Sequence, residues 1–170
     1  MKHARLVAVA IAALVLVGGI AAYFLLYEGA VAVYVKDAPG QWEHVWVTFS
    51  GVSIHQSGQN ASWNVSSTER TVDLATLTNT STLLGKISLS PGHYQQIRLS
   101  VVKVTAQQTG SSTILTVTVP PDNGTMKIAG QFTISSGQTT SVTIDISLAA
   151  SLHDVNGTWT FTPVVGVTSS

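Results

Sequence analysis

The chain of 170 residues contains no cysteine. That excludes a disulfide framework, a lipid-bearing N-terminal cysteine, a blue-copper centre and a thiol nucleophile. Charge is almost as scarce. Only 9% of the residues are Asp, Glu, Lys or Arg, against about 25% in an average soluble domain. Beyond residue 27 the basic residues are Lys36, Arg70, Lys86, Arg98, Lys103 and Lys127. The acidic ones are Glu28, Asp37, Glu43, Glu69, Asp73, Asp122, Asp145 and Asp154. No cluster of basic residues emerges, so nucleic acid is not an expected partner. With few carboxylates to protonate, the fold should tolerate acid, as suits an acidic or hot exterior such as an archaeal cell surface. Chemical motifs are missing too. There is no Gly-x-Ser-x-Gly, no His-Glu-x-x-His or His-x-His, and no glycine-rich phosphate loop between a strand and a helix. The sequence therefore assigns no catalytic residue, no metal ligand and no cofactor, and no enzymatic activity is expected.

The N-terminus is distinctive. Residues 1–5 carry Lys2, His3 and Arg5, and an unbroken apolar run follows from Leu6 to Tyr27. At about 1.5 Å per residue a helix over that run reaches about 33 Å, enough to span a hydrocarbon core of about 30 Å. Cleavable signal peptides have shorter apolar regions, of about 7–15 residues. Three segments are therefore expected: a cytoplasmic tail (1–5), a transmembrane signal-anchor helix (6–27) and an extracellular domain (28–170). The orientation follows from the basic flank, which stays inside.

Every asparagine is followed two positions later by Ser or Thr, with no intervening proline. The five are Asn60, Asn64, Asn79, Asn123 and Asn156. Forty of the 170 residues are Ser or Thr, so five chance matches would arise about once in a thousand such chains. The pattern predicts an N-glycosylated exterior, with Asn60 and Asn64 in one loop, Asn79 on a short helical connection, and Asn123 and Asn156 in turns.

Hydrophobic residues recur with a period of two through most of residues 28–170. Val31, Val33 and Val35 share one parity, as do Val45, Val47 and Phe49, Ile97, Leu99 and Val101, and Leu115, Val117 and Val119. The pattern returns at Met126 to Ile134, Val142 to Leu148 and Trp159 to Val167. These are half-buried strands. Turn-forming clusters separate them, among them Asp37-Ala38-Pro39-Gly40, Ser90-Pro91-Gly92 and Val155-Asn156-Gly157. The expected architecture is an all-β antiparallel sandwich of seven to eight strands. One short helical connection is expected over Leu74–Leu84, with Asp73 near its start.

Several ordered strings resemble the uncharacterised exported-domain family numbered 4382 among the domains of unknown function. They are AVYVKDAP (32–39), VWVTFSGVSIHQ (45–56), TVDLATL (71–77), LSPGHYQQIRLSV (89–101), KIAGQFTISSGQTTSVTIDI (127–146) and TFTPVV (160–165). The resemblance implies an exported immunoglobulin-like or transthyretin-like β-sandwich of bacterial or archaeal envelopes. It carries over no catalytic residue. Many relatives look like lipoproteins, and this chain departs from them in having no cysteine.

One local feature stands out. Strict alternation puts Trp42, His44 and Trp46 on one face, opposite Val45, Val47 and Phe49, as a candidate recognition face for sugars or a protein. Glu43, Asp37 and Asp154 are the carboxylates placed to approach His44 and His55. The first functional expectation is a non-catalytic, membrane-anchored, glycosylated cell-surface module for adhesion, envelope structure or partner binding, its partners being the membrane through residues 6–27 and other envelope proteins or glycans. A second is a filament or assembly subunit, released by cleavage after Ala22 with Tyr23 to Val31 as a donated strand. A third is an extracellular sugar- or metal-binding protein using Trp42, His44 and Trp46.

Overall fold

Alternating side chains define the long strands of the computed structural model, which describes residues 27–38, 41–56, 58, 61–119 and 124–170. The predicted transmembrane helix, apart from Tyr27, lies outside the described residues, as do Asn60 and Asn123. Among the described residues no helix is long and apolar enough to cross a membrane.

Twelve strands are present among the described residues: β1 (Gly29–Ala38), β2 (Trp42–Gln56), β3 (Ser62–Ser66), β4 (Arg70–Asp73), β5 (Thr82–Leu89), β6 (Gly92–Gln108), β7 (Ile114–Val117), β8 (Thr125–Ile134), β9 (Thr139–Ser147), β10 (Leu152–Val155), β11 (Thr158–Phe161) and β12 (Val165–Ser169). This exceeds the seven or eight expected. The additional strands, β3, β4, β5 and β10, are short or lack clean alternation, and the predicted 158–167 strand divides into β11 and β12. A single α-helical turn, α1 (Leu148–Ser151), and a 3-10 turn (Leu74–Leu77) complete the described elements. The helical connection is thus four residues long and stops well short of Leu84, which lies in β5. The β-branched threonines that follow Leu77 disfavour helix. The chain instead turns at Thr78 and Asn79 and goes on to pair with β1.

Two main sheets form. One runs β12-β9-β1-β5; the other runs β3-β2-β6-β7, with β4 on β2 and β8 on β6. Among the described residues an isolated bridge, Thr118↔Thr160, is parallel, and the strand ladders are antiparallel except that β1 runs parallel to β9, from Ala30↔Thr139 to Ala38↔Ser147. The antiparallel expectation is corrected at that ladder. Strands so far apart in sequence need no tight turn between them, so either direction is open to them. The apolar parity of both sheets feeds one buried cluster, including Val31, Val33, Val35, Val45, Phe49, Leu99, Val142 and Ile144.

The two longest strands keep their apolar side chains inward by using bulges. In β2 the buried parity runs Val45, Val47, Phe49 and then changes to Val52 and Ile54. In β6 it runs Ile97, Leu99, Val101 and then changes to Val104 and Ala106. The register between them slips at Thr48/Phe49 and Phe49/Gly51, where one extra residue moves the rest of a strand to the opposite face. Near the start of β6, Tyr94 is 1% exposed. Its hydroxyl donates to the Ser90 carbonyl at 2.7 Å, and its ring stacks on Phe132 with centroids 5.6 Å apart.

Candidate recognition face and end cleft

The predicted face is divided by a bulge. Trp42 pairs with Gln108 and His44 with Gln107, so Glu43 is an extra residue between them. Gln108 has the parity of the buried Val104 and Ala106, and Gln107 the opposite one. Trp42 therefore turns to the core side of the sheet, while His44 and Trp46 stay on the outer side. The expectation that all three share a face is corrected for Trp42.

On the outer side, His44 and Trp46 stack with centroids 4.9 Å apart and 13° between planes. His44 Nδ1 lies 2.5 Å from Asp73 Oδ2. The other carboxylate oxygen of Asp73 accepts the Val45 backbone N–H at 3.0 Å. Asp73 reaches this position because β4 pairs with β2, with Trp46 opposite Asp73. The carboxylate at His44 is thus Asp73, rather than Glu43, Asp37 or Asp154. Asp37 is instead buried at the far end of β1, where it accepts the Leu148 N–H at 3.1 Å and holds the start of α1. Held at Nδ1, the His44 ring keeps one orientation, a positioning role common for such pairs. Among the described residues no group of three or more His, Asp or Glu gathers to hold a metal ion.

On the core side, Trp42 meets Trp159 of β11 edge to face, with centroids 4.9 Å apart and 86° between planes. Together with Gln41, Gln108, Thr109, Ala149 and Leu152 they line a cleft of about 510 Å³. The cleft lies between the start of β2, the end of β6 and the β10–β11 hairpin. Trp159 is held there by backbone bonds: Thr118 N–H donates to the Trp159 carbonyl and Phe161 N–H to the Thr118 carbonyl, both at 2.8 Å. The hairpin closes through Asn156 and Gly157, at φ of 54° and 82°, the left-handed pair that a two-residue turn between twisted strands requires. Gly157 N–H donates to Asp154 Oδ1 at 2.7 Å.

Sequence reasoning passed over Trp159, Gln108 and Asp73 as site residues. The Asn-Gly pair marked the hairpin, but no local signal shows that it folds back to Trp42. Three of the five sequon asparagines can be placed. Asn156 is at the exposed hairpin tip, and Asn79 is exposed in the turn after the 3-10 segment. Asn64 is exposed on β3 opposite Ser53, a correction to its loop placement. Trp63 and Val65, its neighbours, point the other way and supply the apolar parity that makes this stretch a strand.

These features define an all-β domain with two sheets around a single core and aromatic side chains at one end and on one outer face. The chain belongs to the family described as Domain of unknown function (DUF4382), whose model matches residues 28–163. No curated protein and no solved structure matches the chain.

Proposed function

We propose that this protein is a non-catalytic cell-surface module: an immunoglobulin-like or transthyretin-like β-sandwich held to the membrane by residues 6–27, with residues 28–170 outside and N-glycosylated. The observation that carries this reading is the place of β1. It starts at Gly29, two residues after the apolar run ends, and takes an inner position between β5 and β9. An anchor joined there is continuous with a strand hydrogen-bonded on both sides, so the domain is held close to the bilayer with almost no slack. The exposure of Asn64, Asn79 and Asn156 supports glycosylation. The sandwich type draws support from Tyr94, whose hydroxyl reaches back four residues to a backbone carbonyl as in the tyrosine corner of Greek-key sandwiches. Adhesion, envelope structure or binding of another envelope component fits the sparse charge and the outer His44–Trp46 pair.

The same position of β1 counts against a donated N-terminal strand, because both of its edges are already filled within its own chain. The test is the N-terminal sequence and glycan mass of the protein taken from native membranes. A start at Met1 or Lys2, with added hexose mass, is the expected result. A start near Tyr23 in the soluble fraction would reject the anchor and favour release and assembly.

A further inference from the structure

The cleft between Trp42 and Trp159 has a lining that selects by chemistry. Among the described residues that line it, none has an ionisable side chain: the polar groups are the Gln41 and Gln108 amides and the Thr109 hydroxyl, set around two indoles and the buried Leu152. We propose that this cleft binds a neutral saccharide.

A primary amide both donates and accepts hydrogen bonds, which matches sugar hydroxyls that do the same. An anion would find no cation among the described lining residues. A wholly apolar ligand would strip water from two amides without replacing their bonds, which is costly. Indole rings give the broad apolar surface that the C–H face of a pyranose covers, and their N–H groups give a donor at the edge. The volume of about 510 Å³ falls inside the range of about 300–1,000 Å³ usual for small-molecule sites. The site is also built before any ligand arrives. Thr109 Oγ1 donates to the Gln41 carbonyl at 3.0 Å, tying the two loops at the rim. The Glu43 bulge turns Trp42 inward, and the Thr118 bonds fix Trp159. The saccharide site is therefore at the end of the domain, on the opposite side of β2 from His44 and Trp46. It depends on the cleft alone and not on the membrane anchor.

The full chain, made in a host that adds no N-glycans and held in phosphatidylcholine nanodiscs, tests this directly. It is titrated with maltotriose, cellotriose and mannotriose, and with trigalacturonate as the acidic comparison, while the indole N–H signals of the four tryptophans are followed. At least one neutral trisaccharide should shift Trp42 and Trp159 and leave Trp46 and Trp63 in place, with trigalacturonate at least about tenfold weaker. Gln41→Ala and Gln108→Ala should each weaken binding by about two- to tenfold, the effect of one lost hydrogen bond. Both amides are on exposed residues, so these variants keep the fold even if Trp159→Ala does not. Trp46→Ala should bind like the parent. The proposal is overturned if no neutral trisaccharide shifts Trp42 and Trp159 up to about 10 mM, if trigalacturonate binds as well as they do, if both glutamine variants bind unchanged, or if Trp46→Ala abolishes binding.

Discussion

Tyr94 combines three roles in one side chain: it fills the core, stacks on Phe132 and ties the start of β6 to Ser90 through its hydroxyl. Burial pushes its phenol above the ordinary value of 10.0, because the charged phenolate is poorly solvated there. The folded state consequently holds this proton more tightly than the unfolded chain. Its contribution is fully present below pH 10 and is lost as pH rises from 10 through the higher folded value. Tyr94→Phe keeps the ring and removes the proton and the hydrogen bond. The variant should be about 0.5–1.5 kcal/mol less stable than the parent at neutral pH. The gap should narrow above pH 10, as the parent alone loses the Tyr94 contribution. Urea midpoints measured from pH 7 into the alkaline range check this, and a gap constant with pH would refute it. At this scale the sequence marks the tyrosine as apolar enough to bury, but nothing adjacent to it reveals Ser90 or Phe132 as its neighbours. Asp73 is a similar case. It reads as a helix-start residue, yet its side chain makes no cap there and turns instead to His44 and Val45.

At the scale of elements, bulges decide which way side chains point. Strict alternation was legible over Val31–Val35, Val45–Phe49 and Val142–Leu148, because in each the whole apolar parity is buried in the core. It failed at Trp42, since one extra residue in β2 changes the parity and leaves no mark in composition. Inserting one residue between Gln107 and Gln108 is a direct test. The added residue would stand opposite Glu43, the two strands would pair residue for residue there, and Trp42 would be carried to the outer face, where His44 and Trp46 stand, and away from Trp159. The expected outcome is a red-shifted tryptophan emission and a loss of about 1–3 kcal/mol in chemical denaturation, the size of effect usual when a packed aromatic contact is lost. Unchanged emission and stability would mean that the bulge is not what turns Trp42 inward. The elements missed from sequence share a physical reason. β3 and β4 each bury a single residue, Val65 and Val72. In β5 the adjacent Leu83 and Leu84 face opposite ways, and the β1–β5 register slips at Val33/Tyr34.

For the molecule as a whole, stability comes from apolar burial between two sheets with little help from charge. Among the described residues the lysine–carboxylate pair is Lys36–Asp145 at 2.7 Å, with side chains 38% and 31% exposed. Pairs this exposed are worth about 0–1 kcal/mol. Raising sodium chloride from about 0.01 M to about 1 M shortens the screening length from about 30 Å to about 3 Å. The melting temperature of the full chain should then move by no more than about 4 °C, the equivalent of about 1 kcal/mol. Scanning calorimetry at the two salt concentrations measures this, and a fall well beyond that limit would show that ion pairs carry more of the fold. The sequence by itself determined the all-β class, the family, the scarcity of charge and most of the buried faces. These depend on composition, on the two-residue period and on short ordered strings, which are local properties. The tertiary structure alone decided that β1 runs parallel to β9, that Asp73 meets His44, and that Trp42 leaves its neighbours to form a cleft with Trp159. Those outcomes depend on strand partners distant in the chain and on where single extra residues reverse a strand's facing, and no window along the chain contains either.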